Sequence, residues 1–184
     1  MPIMRRQPIA GVMRTCQKWR EREKLGVSVV SITETDAVPV IYRAVGRAER
    51  IALIASSYRR LLGRDLIAAC DDMVAGLWNA PFALLAHGTE PDPVFFFGNA
   101  CALAAFESDV SSFTAMPSRL SAEAPLREER QVLLDRVTAQ GFIDDYAGVR
   151  ITAKGRRFWI GPAVVWNLID EEGRVQGQAA TFVP

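Results

Sequence analysis

The chain has 184 residues and a formal net charge of +1, and its 49% apolar and 23% charged residues are typical of a globular domain. No stretch approaches the roughly 18 consecutive apolar residues that a membrane span needs, so we do not expect this chain to be an integral membrane protein. The apolar stretch within the first 14 residues is too short for a signal peptide, and we therefore expect a cytoplasmic location.

Cysteine and histidine are too sparse for most metal or nucleophile chemistry. Cys16, Cys70 and Cys101 lie far apart and form no C-x-x-C pair, so neither a disulfide framework nor a zinc site is predicted. His87 is the sole histidine, and the sequence contains no G-x-S-x-G elbow, P-loop or dinucleotide fingerprint. These absences disfavour an enzyme, and we predict no catalytic residues and no metal site.

The N-terminal segment is basic. Residues 1–24 carry seven basic and two acidic side chains, a net charge of +5. Such a segment can bind nucleic acid, but few aromatic residues are interleaved, so we favour a solvated arm and disfavour nucleic acid as a partner. Residues 27–45 are β-branched and predict a strand. We therefore divide the chain into a poorly ordered arm, 1–45, and a folded domain, 46–184.

Helical periodicity begins near Gly46. A stripe of apolar residues at spacings of three and four predicts an amphipathic helix over 47–62 that ends at Gly63. The stripe consists of Ile51, Ile54, Tyr58 and Leu61. A second short helix is predicted over 65–77.

Strands and turns follow. Residues 82–87 and 94–97 read as a hairpin joined by a turn rich in glycine and proline. Asn99 is then suited to cap a helix through Phe106, and a further helical turn starts near Asp109 and stops before Pro117.

A long helix over 125–140, with Gly141 at its C-terminal end, precedes three strands over 143–152, 156–168 and 174–183. The order of elements predicts an α+β fold. It consists of a five-stranded antiparallel sheet with helices on one face, preceded by N-terminal helices.

Four segments carry a resemblance to a known family: Ala80–Thr89, Pro117–Ala122, Gly141–Tyr146 and Trp166–Asn167. Together with the order of elements, they resemble the MEKHLA domain, a PAS-like domain that also occurs at the C-terminus of plant class III homeodomain–leucine zipper regulators. The resemblance covers roughly residues 50–182. It implies a PAS-like fold and a non-catalytic sensory or regulatory module that passes its signal to a separate signalling protein.

PAS domains commonly hold a ligand between the sheet and the helices, so the resemblance also implies a pocket. Ser118 stands where flavin photoreceptors of this fold carry a cysteine, and residues 127–140 contain no histidine for a haem. Both cofactors are therefore disfavoured, and the cofactor stays unknown. Arg119 could bind an anionic ligand or form an ion pair with Glu123 or Asp109. The candidate ligand-binding residues are Phe97, Asn99, Phe106, Phe113, Ser118, Arg119, Tyr146 and Trp166.

The strand over 156–168 is apolar on both faces, with Gly161-Pro162 expected to form a bulge and shift its phase. Both faces therefore need cover. We expect the helix over 47–62 to cover the outer face, alone or with a second copy, and to form a homodimer interface through Ile51, Ile54, Tyr58 and Leu61.

Three functions remain open from the sequence. The first is a non-catalytic PAS-like sensory or regulatory module acting through a small ligand, protein association or both. The second is a purely structural interaction module whose core is filled by its own side chains. The third, a small enzyme on the same frame, would need a convergent set of perturbed polar groups.

Overall fold

The computed structural model describes residues 37–123 and 127–184. Its five antiparallel strands form one sheet in the order β2-β1-β5-β4-β3, which confirms the predicted fold. The strands are β1 (Ala83–His87), β2 (Phe95–Gly98), β3 (Phe142–Ile151), β4 (Arg157–Ile169) and β5 (Val175–Phe182). The helices are α1 (Arg47–Leu62), α2 (Met73–Trp78), α3 (Ala100–Phe106), α4 (Val110–Phe113) and α5 (Arg127–Gln140).

The helices α3 to α5 lie between β2 and β3 along the chain and cover the inner face of the sheet. Two short 3-10 helices, Val40–Arg43 and Ser118–Ser121, complete the described elements. Within the described ranges, no helix is both long and apolar enough to cross a membrane.

The amphipathic helix predicted over 47–62 is α1, and it lies on the outer face of the sheet as expected. The Ser57 hydroxyl accepts a hydrogen bond from the Ile169 N–H at 2.8 Å, and the Tyr58 ring meets the Trp166 ring edge-on at 4.9 Å. Gly63 ends the helix in the left-handed conformation with φ 69°, as predicted.

The side chains predicted to form a homodimer interface are buried or partly buried within their own subunit. Ile51 and Ile54 are fully buried and Tyr58 is 5% exposed, because α1 packs on β4 of its own subunit. Leu61 is partly buried against the same core. We therefore correct the assignment of these residues to a homodimer interface, since side chains buried in this way leave no surface for a second copy.

The second predicted helix, over 65–77, is shorter than expected. Helix α2 begins only at Met73, because the Asp72 carboxylate accepts a hydrogen bond from the Ala75 N–H at 3.0 Å and so acts as its N-cap. A residue at the N-cap has non-helical backbone angles, so no helix can continue through it.

The strand predicted over 27–45 is wrong for the residues that the structure describes. Residues 40–43 form a 3-10 helix that buries Tyr42 completely. The Tyr42 hydroxyl donates to the Gly98 carbonyl at 3.0 Å and accepts from the Gly98 N–H at 3.2 Å. Burial raises the pKa of Tyr42 to about 12. The remainder of that predicted strand and of the arm lies outside the described residues.

The expected shift of phase in β4 is confirmed at Gly161-Pro162. The pairing of β3 with β4 changes register opposite this dipeptide. Ile160 on one side of it and Val165 on the other both line the inner face, whereas Trp166 contacts α1 on the outer face. The bulge therefore decides which aromatic side chains of β4 reach the inner core.

The C-terminal end of α5 fits the prediction. Gly141 has φ 90°, and its N–H donates to the Val137 carbonyl at 2.8 Å. The Asn167 side chain donates to the same carbonyl at 3.0 Å, which joins the end of the helix to β4. The predicted start of this helix at Pro125 lies outside the described residues.

Candidate functional site

The inner face of the sheet and helices α3 to α5 enclose a cavity of about 40 Å³. Such a volume holds roughly three water molecules, whereas a site for a drug-sized ligand needs about 300 Å³ or more. Its polar lining consists of His87, Ser121, Tyr146, Arg150 and Gln178. Leu85, Phe95, Phe106, Ile160, Val165 and Phe182 are prominent among its apolar neighbours.

Aromatic side chains fill the space around the cavity. Phe95 stacks on Phe113 with ring centroids 4.6 Å apart, and Phe106 meets Phe113 at 5.6 Å. Phe158 from β4 approaches Phe106 edge-on at 5.1 Å, and Phe182 from β5 lies behind both. These pair geometries are those that aromatic rings prefer in protein cores. The inner core is therefore largely occupied by the side chains of the chain itself.

Arg150 is the buried cation of the cavity wall. Its side chain belongs to a residue only 7% exposed, and its guanidinium carbon lies 4.9 Å from the centroid of the Tyr146 ring. One guanidinium N–H donates to the Val149 carbonyl at 2.8 Å. The contact with the Tyr146 ring and this hydrogen bond offset part of the cost of burying the guanidinium.

His87 closes the cavity at the end of β1. It is 8% exposed, and its Nδ1 lies 2.9 Å from the Gly88 carbonyl oxygen. Because a carbonyl oxygen only accepts, this contact places the proton on Nδ1. The imidazole is thus tied to its own turn.

Gln178 joins the sheet to α5 across the cavity. Its amide Nε2 donates to the Thr138 hydroxyl at 3.1 Å and to the Asn167 side-chain oxygen at 3.1 Å. It also lies within hydrogen-bond distance of the Leu134 carbonyl, at 3.2 Å. A buried amide engaged in this way positions the long helix on β4 and β5.

Of the eight predicted ligand-binding residues, only Phe106 and Tyr146 line the cavity. Phe113 lies one layer behind it, stacked on Phe95. Phe97 and Trp166 lie on the outer face, where Phe97 packs on Tyr42 at 4.9 Å and Trp166 packs on α1. We therefore correct the placement of these two residues, which strand bulges turn away from the cavity.

Asn99 is a structural residue at the junction of β1, β2 and α3. Its side-chain oxygen accepts from the backbone N–H groups of Leu84 and Ala102, both at 2.9 Å. Its amide nitrogen donates to the Phe82 carbonyl at 2.8 Å. The predicted cap of α3 is confirmed, and the same contacts turn the side chain away from the cavity.

Ser118 and Arg119 sit in the 3-10 helix beyond α4. Ser118 is 1% exposed, and its N–H donates to the Pro93 carbonyl at 2.6 Å. Arg119 lies about half exposed and pairs with Asp92 at 2.9 Å. Glu123 instead pairs with Arg157, and Asp109 caps α4 through the Ser112 N–H. The predicted ion pair of Arg119 therefore forms with a different carboxylate, and neither residue lines the cavity.

Sequence reasoning missed the polar wall of the cavity. Arg150 and Gln178 lie in strands that carry other polar residues, Asp144 and Asp145 in β3 and Gln176 in β5, so composition does not single them out. Their alternation with apolar neighbours gives no sign of which face is inner. The strand pairing supplies that information, since Arg150 is paired with Phe158.

Metal binding has no support in the described ranges 37–123 and 127–184, where no group of three histidine, cysteine or carboxylate residues is close enough to share an ion.

Two comparisons with known proteins concern the sequence. The sequence model of the MEKHLA domain matches residues 48–184. The homeobox-leucine zipper protein HOX9 of Oryza sativa subsp. indica is 25% identical over 134 residues, which cover 71% of this chain. This chain spans 16% of the length of that relative.

Two solved structures align with part of the chain. A PAS domain from Colwellia psychrerythraea aligns with a TM-score of 0.51 and 11% identity, covering 58% of this chain and 87% of that domain. A light-oxygen-voltage domain studied with a flavin analogue aligns with a TM-score of 0.48 and 17% identity, covering 60% of this chain and 82% of that domain. At these identities the likeness concerns the fold alone.

Proposed function

Because the chain belongs to the MEKHLA domain family, we propose that it is a non-catalytic regulatory module that acts by associating with a separate signalling protein. The observation that carries the proposal is the inner core, in which Phe95, Phe106, Phe113 and Phe158 occupy the space where a ligand would lie. A module with such a core works through its surface.

The small cavity supports a function without flavin or haem. Its volume of about 40 Å³ is far below what a tricyclic or porphyrin ring system occupies. Ser118, at the position considered for a flavin-reactive thiol, is a buried hydroxyl that belongs to a 3-10 helix. Opening the cavity for either cofactor would require Phe106 and its aromatic neighbours to move apart.

A second candidate function is the sensing of a small polar molecule of a few heavy atoms. The polar wall favours it, because Arg150 and Gln178 place a buried cation and a buried amide on the same cavity. Acetate is a suitable probe because its size and its negative charge match the cavity and the guanidinium, whereas both N–H groups of the Gln178 amide are already donated within the chain. In this function the module would still be non-catalytic, with the ligand stabilising one packing of the core.

Nucleic acid is not the partner that we propose for the domain. The exposed arginines of the described ranges are largely matched by carboxylates, as in the pairs Arg43–Asp72, Arg157–Glu123 and Arg174–Asp170. Matched charges reduce the positive potential that phosphate binding needs.

We propose a cytoplasmic location for the module.

If the chain self-associates, we propose that it uses surfaces other than the buried apolar stripe of α1. A homodimer would use the exposed side of the domain, and light scattering on the full chain measures whether it forms.

The experiment that tests the proposal compares two single-methylene variants of adjacent residues in β4. Val165→Ile places an extra methylene group in the cavity and so reduces its free volume. Val164→Ile adds the same methylene group on the outer face. Each full-length variant and the native chain are melted alone and with flavin mononucleotide, haemin or acetate. A filled core predicts no shift in melting temperature with flavin mononucleotide or haemin, and no light-driven bleaching or Soret band.

The two candidates differ in their response to acetate. If acetate raises the melting temperature of the native chain and of Val164→Ile but not of Val165→Ile, the cavity is a small-ligand site. If no probe shifts any melting temperature, the surface-acting module stands. A shift with flavin mononucleotide or haemin would overturn the proposal.

A further inference from the structure

Strand β4 has an open edge along its first half. The strand runs from Arg157 to Ile169, but its pairing with β5 covers only the part from Val164 onward. On its other side, the pairing with β3 continues to Arg157. Within the described residues, Arg157–Ala163 therefore have a neighbouring strand on the β3 side and none on the β5 side.

The register shows which backbone groups face this open edge. In an antiparallel pair, residues that exchange hydrogen bonds with the neighbouring strand alternate with residues whose N–H and C=O groups point the other way. At the turn between β3 and β4, the Thr152 N–H donates to the Arg156 carbonyl at 2.9 Å. Two residues further along, Phe158 is the partner of β3. The N–H and C=O groups of Arg157 and Trp159 therefore point to the open edge.

A groove of about 170 Å³ borders this edge, between α3 and the start of β4. It is lined by Cys101, Ala104 and Ala105 of α3, by Arg156, Phe158 and Trp159, and by Pro184 after β5. The side chains from α3 are small, so an extended backbone can approach β4. The volume holds roughly ten water molecules, which is too little for a drug-sized molecule. It suits one or two side chains of a peptide.

The two outer edges of the sheet carry features that discourage the addition of a strand. Along β2, the Phe95 N–H donates to the Met116 carbonyl at 3.1 Å. Along β3, register shifts interrupt the ladder, and the exposed Asp144 and Asp145 place charges on the edge. Residues 157–160 of β4, by contrast, pair with β3 without a register shift, so their open edge is regular enough to accept a strand.

The rim of the groove has an excess of positive charge. Three basic side chains, Lys154, Arg156 and Arg157, interact there with two carboxylates, Glu107 and Glu123. The Arg156 side chain is 58% exposed, and its Nε lies 3.6 Å from the Glu107 carboxylate. Because a guanidinium has five N–H donors, Arg156 can bind a further carboxylate. The charge favours an occupant with acidic side chains.

The edge also carries the residue types that dominate the binding energy of protein interfaces. Trp159 is 63% exposed, and Arg156 lines the same groove. Tryptophan and arginine are enriched among the residues that contribute most to association. A second copy of the chain would add its own basic residues 154–157 to the same rim, so charge favours a different protein as the occupant.

We propose that an extended, acidic segment of a partner protein adds as a strand to the open edge of β4. Its backbone pairs with the N–H and C=O groups of Arg157 and Trp159, an apolar side chain enters the groove, and a carboxylate binds Arg156. This inference rests on the proposed function, since it names the surface through which the module associates with its signalling protein.

A phage-displayed library of random heptapeptides, selected on the full chain, provides the probe. We expect the recovered peptides to combine apolar residues with aspartate or glutamate. Fluorescence anisotropy then measures their affinity for the native chain and for two variants. Ala104→Glu places a carboxylate in the groove and should weaken binding by about tenfold or more. Ala52→Glu, at a similarly half-buried position of α1, is the matched control and should bind as the native chain does.

A second pair of variants tests the charge without changing the groove wall. Arg156→Gln alters an exposed side chain and should weaken binding of the acidic peptides by roughly threefold or more. Arg59→Gln, which also removes an exposed arginine from an ion pair, lies on α1 and should leave the affinity unchanged. Melting temperatures establish that each variant is folded.

Methylation of the peptide backbone distinguishes strand addition from insertion of a side chain alone. A recovered peptide is made in two versions, N-methylated at alternate residues in opposite phase. A strand that pairs along one edge uses the N–H groups of alternate residues only. One version should therefore lose binding while the other retains it.

Equal effects of the two methylated versions, an affinity that neither Ala104→Glu nor Arg156→Gln changes, or the recovery of no peptide would each overturn the proposal. A doubled mass of the native chain in light scattering that Ala104→Glu abolishes would also overturn it, because a second copy would then occupy the edge. Any of these results leaves the surface-acting module in place with another surface. The proposed function itself fails only on the melting shift with flavin mononucleotide or haemin.

Discussion

The indole N–H of Trp166 donates a hydrogen bond to the carbonyl oxygen of Ile54 across 3.1 Å. This contact ties the middle of α1 to the C-terminal part of β4. It is reinforced by the edge-on packing of Tyr58 on the same indole ring. The N-terminal helix is thereby part of the folded domain, and it seals the outer face over the most buried part of the sheet.

Replacing Trp166 by phenylalanine should destabilise the domain by about 1–3 kcal/mol, because the hydrogen bond and part of a fully buried ring are lost. Urea unfolding followed by circular dichroism measures this free energy. Tyr58→Phe keeps the ring that packs on the indole and serves as the matched control, with a smaller expected effect. Equal stability of Trp166→Phe and the native chain would show that α1 is not held by this contact.

Asn99 should be among the least replaceable residues of the chain. In Asn99→Asp the two acceptor contacts with Leu84 and Ala102 can persist, but no side-chain N–H remains to donate to the Phe82 carbonyl. The buried carboxylate would also lie against that carbonyl oxygen. We expect a loss of about 3 kcal/mol or more. The exposed cap variant Asp109→Ala should lose only about 1 kcal/mol. Similar, small losses in both would contradict the structural role of Asn99.

Much of the fold was predictable because local signals and tertiary structure agree. Gly63 and Gly141 end their helices where periodicity stops, and the turns at Gly155 and Gly173 delimit the last three strands. The prediction failed where tertiary contacts override propensity. Residues 40–43 are rich in β-formers, yet they form a 3-10 helix because Tyr42 inserts between Trp78 and Phe97.

The candidate site was less predictable, since which face a strand residue occupies depends on bulges. A shift of one residue in β2, and another at Gly161-Pro162 in β4, places Phe97 and Trp166 on the outer face. Single-residue shifts of this kind leave no periodic signature in the sequence. Phe106 and Tyr146 line the cavity, and neither position depends on the phase of β2 or β4.

Asp170, in the turn between β4 and β5, should make the free energy of unfolding depend on pH in the acidic range. Partial burial acts to raise the pKa of Asp170, but hydrogen bonds from the Arg174 backbone and side chain and from Gln176 lower it to about 2 from the ordinary 3.8. Because the folded-state pKa is depressed, the stabilisation is present above the unfolded value and is lost as pH falls through the folded one.

The measurement compares the melting temperatures of the native chain and Asp170→Asn. Their difference should be largest near neutral pH and should shrink as the pH falls from about 4 to about 2. Glu171→Gln, in the same turn, is the control and should show no comparable trend. A difference between the native chain and Asp170→Asn that stays constant over this range would show that the Asp170 charge does not contribute.

The packing of Tyr42 also moves the expected boundary of the folded unit. Arg43 forms an ion pair with Asp72 at 2.8 Å, next to the buried Tyr42 ring. Brief trypsin treatment should therefore cut within the basic residues 18–24 and leave a stable fragment that begins at Leu25. Mass spectrometry of the fragment locates the cut. A stable fragment that begins at Ala44 would place the boundary where the sequence alone predicted it.

The central claim is that the core of this MEKHLA domain is filled by its own side chains, so that the module acts through its surface. The most direct measurement is a native mass spectrum of the purified full chain, combined with its absorption spectrum. We expect the mass of the polypeptide alone, with no absorption beyond that of its aromatic residues. A non-covalent adduct of several hundred daltons that leaves on denaturation, or an absorption band in the visible range, would contradict it.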